Sequence, residues 1–206
     1  MKVKSKGTFQ LSQESPWIKD CTLSKEIASD LTLFSLAKGT DISAESYPHP
    51  SFYFALKNSV QIDSLILNEG QCIQMKANEA FGICALEDCS YLEIKLKEKP
   101  MNLDSKQIFA LKDLLPYQDG AIINKDLVSN EKMKFVVMAF DAGCALSEHA
   151  APAEALIFAL DGEGIITYEG KEYPIKAGEN FKFDKNGMHA VKATTPFKMA
   201  LLLAFE

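Results

Sequence analysis

The sequence lacks any apolar run long enough to cross a bilayer. Its longest, Ala155 to Leu160 and Met199 to Phe205, fall far short of the roughly 20 residues a spanning helix needs. It lacks a basic surplus as well. Lys and Arg number 22 against 28 Asp and Glu, a net charge of −6, so neither nucleic acid nor a membrane surface is an expected partner. The basic start, Met1-Lys-Val-Lys-Ser-Lys6, runs into Gly-Thr-Phe-Gln where a secretion signal needs an apolar core. The five cysteines, at 21, 72, 84, 89 and 144, form no Cys-x-x-Cys pair. An odd, scattered set points to a reducing cytoplasm and to buried, small apolar side chains. P-loop, dinucleotide glycine fingerprint and Ser-His-Asp order are missing too, and no helix-turn-helix is appended. Histidine is scarce, with only His49, His149 and His189.

What is present is 206 residues, 47% of them hydrophobic. That is enough to bury the core of one large or two small domains. The chain repeats itself. At an offset of 100, "FQLSQESPW" (9–17) lies on "FALKDLLPY" (109–117). At 104, "GTDISAESYPHPSFYFALKNSV" (39–60) lies on "GCALSEHAAPAEALIFALDGEG" (143–164). At 108, "EGQCIQMKANEAFGICA" (69–85) lies on "AGENFKFDKNGMHAVKA" (177–193). The three blocks fall in order, with gaps at turn-like stretches. They predict two copies of one fold, about 1–100 and 101–206, joined near residues 97 to 107.

Each copy reads as short strands between turns, the pattern of a sandwich or barrel. In the second copy these are 134–140, 155–160, 165–168, 172–175, 181–183, 190–192 and 199–205, with a tight turn at Glu169-Gly170-Lys171. Ala155 to Leu160 and Phe52 to Leu56 are apolar at every position, so both faces of these strands must be covered. One helix is expected, from Asp104 to Leu115. Asp104 or Ser105 would cap it and Pro116 would stop it.

The stretch from Gly143 to Gly162 resembles the first motif of the cupin superfamily. That motif spaces Gly, His, a second His, Glu and Gly as residues 143, 149, 151, 155 and 162 are spaced here. Gly143, His149 and Gly162 match; Ala151 and Ala155 stand where a histidine and the glutamate are usual. Asp184-Lys-Asn-Gly-Met-His189 is similar to the second motif, without its proline. The resemblance covers both halves and so points to a bicupin. It implies an all-β chain of two tandem small β-barrels, each a cupin-like double-stranded β-helix. The barrels would be related by a pseudo-two-fold, with little helix. In many relatives it also implies a divalent metal inside.

The resemblance places the site in the second barrel. His149 and His189 land on ligand positions, and two readings of them stand side by side. Either they are pocket histidines satisfied by hydrogen bonds, or they hold one divalent transition metal (zinc, nickel, iron or manganese). The missing carboxylate could come from Glu154, one position early, although strand alternation points it away from residue 155. Glu148 reads as a solvated surface glutamate. The expected pocket lining is Met138, Phe140, Ala151, Ala155, Ile157, Phe181, Phe183 and Met188. In the first copy Glu45 and Phe81 replace the two histidines. That half reads as a metal-free barrel filled by Phe52, Phe54, Met75 and Phe81 or their neighbours, where Glu45 with Tyr47 could orient a small polar ligand. His49 reads as a solvated turn residue. The function expected is binding of a small molecule, with or without the metal. The alternative is a metal-dependent enzyme of isomerase, dioxygenase or decarboxylase type. Either a monomer carrying an internal pseudo-dimer or a homodimer fits this reading.

Overall fold

A computed structural model describes residues 1–3, 7–96, 101 and 103–205. It forms two compact units, Met1–Lys2 with Leu11–Ala110, and Val3–Gln10 with Leu111–Glu206. The expected junction near 97 to 107 lies partly outside the described residues.

The first unit has a six-stranded sheet in the order Thr22–Ala28, Leu31–Leu36, Cys89–Lys95, Ser51–Lys57, Gln71–Met75 and Phe109–Ala110. Its second sheet runs Asp41–Ser46, Ala80–Cys84, Val60–Ile62 and Leu65–Leu67. The second unit repeats the plan. One sheet is ordered Ile122–Ser129, Met133–Phe140, Phe197–Ala204, Glu154–Asp161 and Asn180–Phe183; the other Ala145–Ala150, Met188–Ala193, Glu163–Tyr168 and Lys171–Lys176. The paired strands are antiparallel throughout. Register follows the sequence offsets. The register shift at Glu26/Ala28 reappears at Asp126/Val128, 100 residues on. The pairs Ile42↔Ile83 and Glu45↔Phe81 reappear as Leu146↔Val191 and His149↔His189, at offsets of 104 and 108. The hairpin after Tyr168 closes as expected. Glu169 and Gly170 both take positive φ, 50° and 74°, as a two-residue turn between right-twisted strands requires.

Each core lies between the two sheets of its unit. In the second it is built around Phe140, Ala155, Ile157, Phe181, Phe183, Phe197 and Met199. In the first it is built around Tyr53, Met75, Phe81, Ile83 and Tyr91. Of the residues expected to fill the first barrel, Met75 and Phe81 do so, and on the strand before them it is the neighbours that face inward. Phe52 and Phe54 are buried but are not part of this core. Alternation gives the interior face to Ser51, Tyr53 and Ala55 instead.

The helix expected over 104–115 does not form. Phe109–Ala110 is an edge strand on Cys72 and Gln71, and only Leu111–Asp113 makes a 3₁₀ turn. Lys106 sits at a positive φ of 62°, and its amide donates to the Gln74 carbonyl. A 12-residue helix is marginal in isolation, whereas the strand covers an otherwise open sheet edge. In the second unit the matching edge takes Phe9, bridged to Asn180. Among the described residues no helix is long and apolar enough to cross a membrane. All five cysteines are free thiols; Cys72 and Cys89 are buried, and Cys84, contrary to expectation, is exposed.

Candidate functional site

His149 lies on Ala145–Ala150, a strand the sequence pattern misses because it is mostly exposed and shows no apolar alternation. Simple alternation from Leu146, which packs on the core, would turn residue 149 outward. A register shift between Leu146 and His149 adds one residue to this strand. Such a bulge re-aims the side chains that follow it. His149 thereby stands directly opposite His189. The two ring centroids are 4.2 Å apart, tilted by 51°. His189 is buried, with 6% of its surface exposed; its ring lies 4.0 Å from that of Phe183.

Both imidazoles are held the same way. The His149 Nδ1 lies 2.9 Å from the Ser147 carbonyl and the His189 Nδ1 lies 3.2 Å from that of Gly187. A carbonyl only accepts, so each Nδ1 carries the proton and donates it. In the neutral imidazole the other nitrogen, Nε2, then keeps its lone pair. Burial, with a smaller push from His149, holds the His189 pKa below its ordinary 6.5, against the opposing hydrogen bonds to the Gly187 and His149 backbone. A lowered pKa in the fold means that the unfolded chain takes up this proton first as pH falls. Stability is therefore complete above about 6.5 and is lost as pH falls through the folded value. The melting temperature should drop more between about pH 7.5 and 5.5 in the parent than in His189→Phe, which copies Phe81 of the first unit. An equal drop in the two proteins would contradict this.

The other expected residues divide. Ala151, Ala155, Ile157, Phe140, Phe181 and Phe183 are buried in this core, and Met138 packs against it. Met188 is 38% exposed, because it alternates with His189 and points the other way. Glu154 is not brought to the imidazoles. Its carboxylate pairs with Lys182 at 2.8 Å, across the face that carries Leu156 rather than Ala155. Lys182 also meets Asp184 at 2.9 Å, and that hydrogen bond is the main reason the Asp184 carboxyl is held below its ordinary range. Glu148 is exposed. His49 is half-buried rather than solvated, its ring 6.1 Å from that of Tyr47. Among the described residues no group of three His, Cys, Asp or Glu side chains could hold a metal ion.

Sequence reasoning passed over Tyr168. It lies opposite His189 in the ladder, and its ring packs at 5.6 Å on Phe181 and 5.5 Å on Phe183. Its place at the end of the predicted hairpin was the available signal. The arrangement is thus two facing imidazoles, His149 exposed and His189 buried, over an aromatic, apolar interior.

The sequence pattern of the Cupin domain matches residues 136–205. No curated protein matches the chain. Among solved structures, the chain is similar to the Cupin 2 conserved barrel domain protein from Leptotrichia buccalis. The two share 28% identity over 98% of each chain, with a TM-score of 0.85. At the level of fold it is similar to the salicylate 1,2-dioxygenase of Pseudaminobacter salicylatoxidans, at 10% identity over 89% of this chain and 76% of that one (TM-score 0.62). The oxalate decarboxylase of Lactobacillus farciminis aligns at 12% identity over 100% and 88% (TM-score 0.57).

Proposed function

We propose, from the premise that this chain is a two-barrel protein of the cupin fold, that its second barrel binds a small molecule at the His149–His189 pair. The observation that carries the reading is the matched anchoring of the two rings. Each Nδ1 is tied to a backbone carbonyl two residues earlier, which fixes the orientation of two rings whose centroids are 4.2 Å apart, at the edge of an apolar core. Groups that merely fill a core do not need this. The ligand that fits offers hydrogen-bond donors to the two Nε2 nitrogens and an apolar body to Phe183 and Tyr168.

A resident metal of the cupin kind does not fit the residues present. Two neutral imidazoles supply nitrogen donors but no negative charge, and a divalent ion left uncompensated in an apolar interior is costly. The candidate carboxylate, Glu154, is engaged by Lys182. We therefore favour binding over metal-dependent catalysis.

A library of small polar metabolites, screened by saturation-transfer NMR, tests the reading. Hits should lose about tenfold in affinity in His149→Ala and in His189→Ala, the scale of one or two lost hydrogen bonds. Hits that bind both variants as tightly as the parent would contradict it.

A further inference from the structure

The first barrel carries carboxylates where the second has a histidine or an apolar residue. Its bulge places Glu45 opposite Phe81, the positions that His149 and His189 occupy in the second barrel. Tyr47 donates its hydroxyl to Glu45 at 3.0 Å. Deeper, Tyr53 donates to Glu93 at 3.0 Å. Glu93 is directly opposite Tyr53 in the ladder and shares its face. It is a carboxylate with only 6% of its surface exposed. Four rings beside these acids pack in series. Tyr47 to Phe81 is 6.1 Å, Phe81 to Tyr53 5.6 Å and Tyr53 to Tyr91 5.9 Å.

An independent observation comes from Ser51. It lies opposite Met75, a core residue of this barrel, and so faces the same interior. It is 2% exposed, and its Oγ has no hydrogen-bond partner. Buried hydroxyls are almost always satisfied. Its counterpart in the second barrel is Ala155, where no such atom exists.

The chemistry left over is chiefly acceptor chemistry, with one hydroxyl, that of Ser51, free to accept or donate. Both bonded phenols spend their protons on the carboxylates. What remains is the second oxygen of Glu93, the Glu45 carboxylate and the Ser51 oxygen, beside the faces of aromatic rings. An anion would be repelled. A neutral polyol would bring donors but nothing to offset the buried charge of Glu93. An ammonium group brings both, and aromatic faces attract it further. We propose that the first barrel is a second binding site, for a small organic ammonium ion, built from Glu93, Ser51, Glu45 and the rings of Tyr47, Phe81 and Tyr53. Burial first, then the neighbouring Glu45 and Glu93, pushes the Tyr47 hydroxyl up to about 12. It therefore stays a neutral donor at any ordinary pH. The inference stands apart from the reading of the second barrel.

Calorimetric titration of the full chain with n-butylammonium chloride tests it, with n-butanol and sodium butyrate as controls of equal length. Butylammonium is expected to bind saturably and more tightly than either control. Glu93→Gln should weaken it about tenfold or more, as loss of a charge-assisted hydrogen bond does. Ser51→Ala and the exposed Glu45→Gln should each weaken it severalfold, and they carry the test should Glu93→Gln not fold. In a His189→Ala background, which removes any binding at the second barrel, saturable binding should persist. Absence of saturable binding, equal binding of butanol, or loss of binding in His189→Ala but not in the first-barrel variants would overturn the proposal.

Discussion

Gly162→Ala is expected to destabilise the second barrel by about 4 kcal/mol or more, at the diagnostic end of single substitutions. Its melting transition should fall by more than about 10 °C. Gly162 links Glu154–Asp161 to Glu163–Tyr168 with a φ of +71°. A left-handed φ alone costs an ordinary residue only about 1–2 kcal/mol. The first barrel shows as much. Asn58 occupies the corresponding turn with a φ of 57°. What singles out Gly162 is a close approach, since a Cβ there would lie 1.8 Å from the Pro196 carbonyl oxygen. That carbonyl belongs to a turn held to Glu163 by hydrogen bonds in both directions. The Glu163 amide donates to the Thr195 hydroxyl at 2.9 Å, and the Thr194 amide donates to the Glu163 carbonyl at 3.1 Å. Relieving the clash breaks them. Gly143→Ala, at the other end of the motif, is the control. Its φ is +83°, but a Cβ there meets nothing within 4 Å, so the expected loss is only about 1–2 kcal/mol. Calorimetric melting of the two variants checks the contrast, and equal losses would contradict it.

Much of the fold was legible because turn residues and apolar runs recur at three offsets, and the same offsets carry the strand register. The faces were harder to read. Phe52 to Leu56 is apolar at every position, so periodicity cannot say which residues point inward. Lining it up with Ala155 and Ile157 would have chosen Ser51 and Tyr53. The strand holding His149 was invisible, since it is mostly exposed and shows no apolar alternation, and the bulge that turns His149 toward His189 exists only once two strands are paired. Alternation did argue against Glu154 as a ligand; its partner Lys182 lies across the sheet, where a single sequence gives no sign of it. The buried Glu93 was not singled out, because in Ser90-Tyr-Leu-Glu-Ile94 nothing distinguishes an inward glutamate from an outward one. The expected helix failed because local capping signals lost to a sheet edge that needed covering.

Ala155→Glu is the substitution with the largest expected gain. Ala155 is 1% exposed and lies opposite Phe183, whose ring touches that of His189. A glutamate there adds the negative charge that two neutral imidazoles lack. Without metal, the buried carboxylate should lower the melting temperature, since an unpaired charge in an apolar interior is unfavourable. With metal, that loss should reverse, because a ligand bound only by the folded state stabilises it. The most direct measurement is calorimetric titration of the parent and Ala155→Glu with Zn²⁺, repeated with each in a His189→Ala background. Binding in Ala155→Glu should be tighter than in the parent by about tenfold or more, and His189→Ala should abolish the gain. No gain in Ala155→Glu, or a gain that survives His189→Ala, would contradict the account, because residue 155 and the imidazole pair would then not share one site.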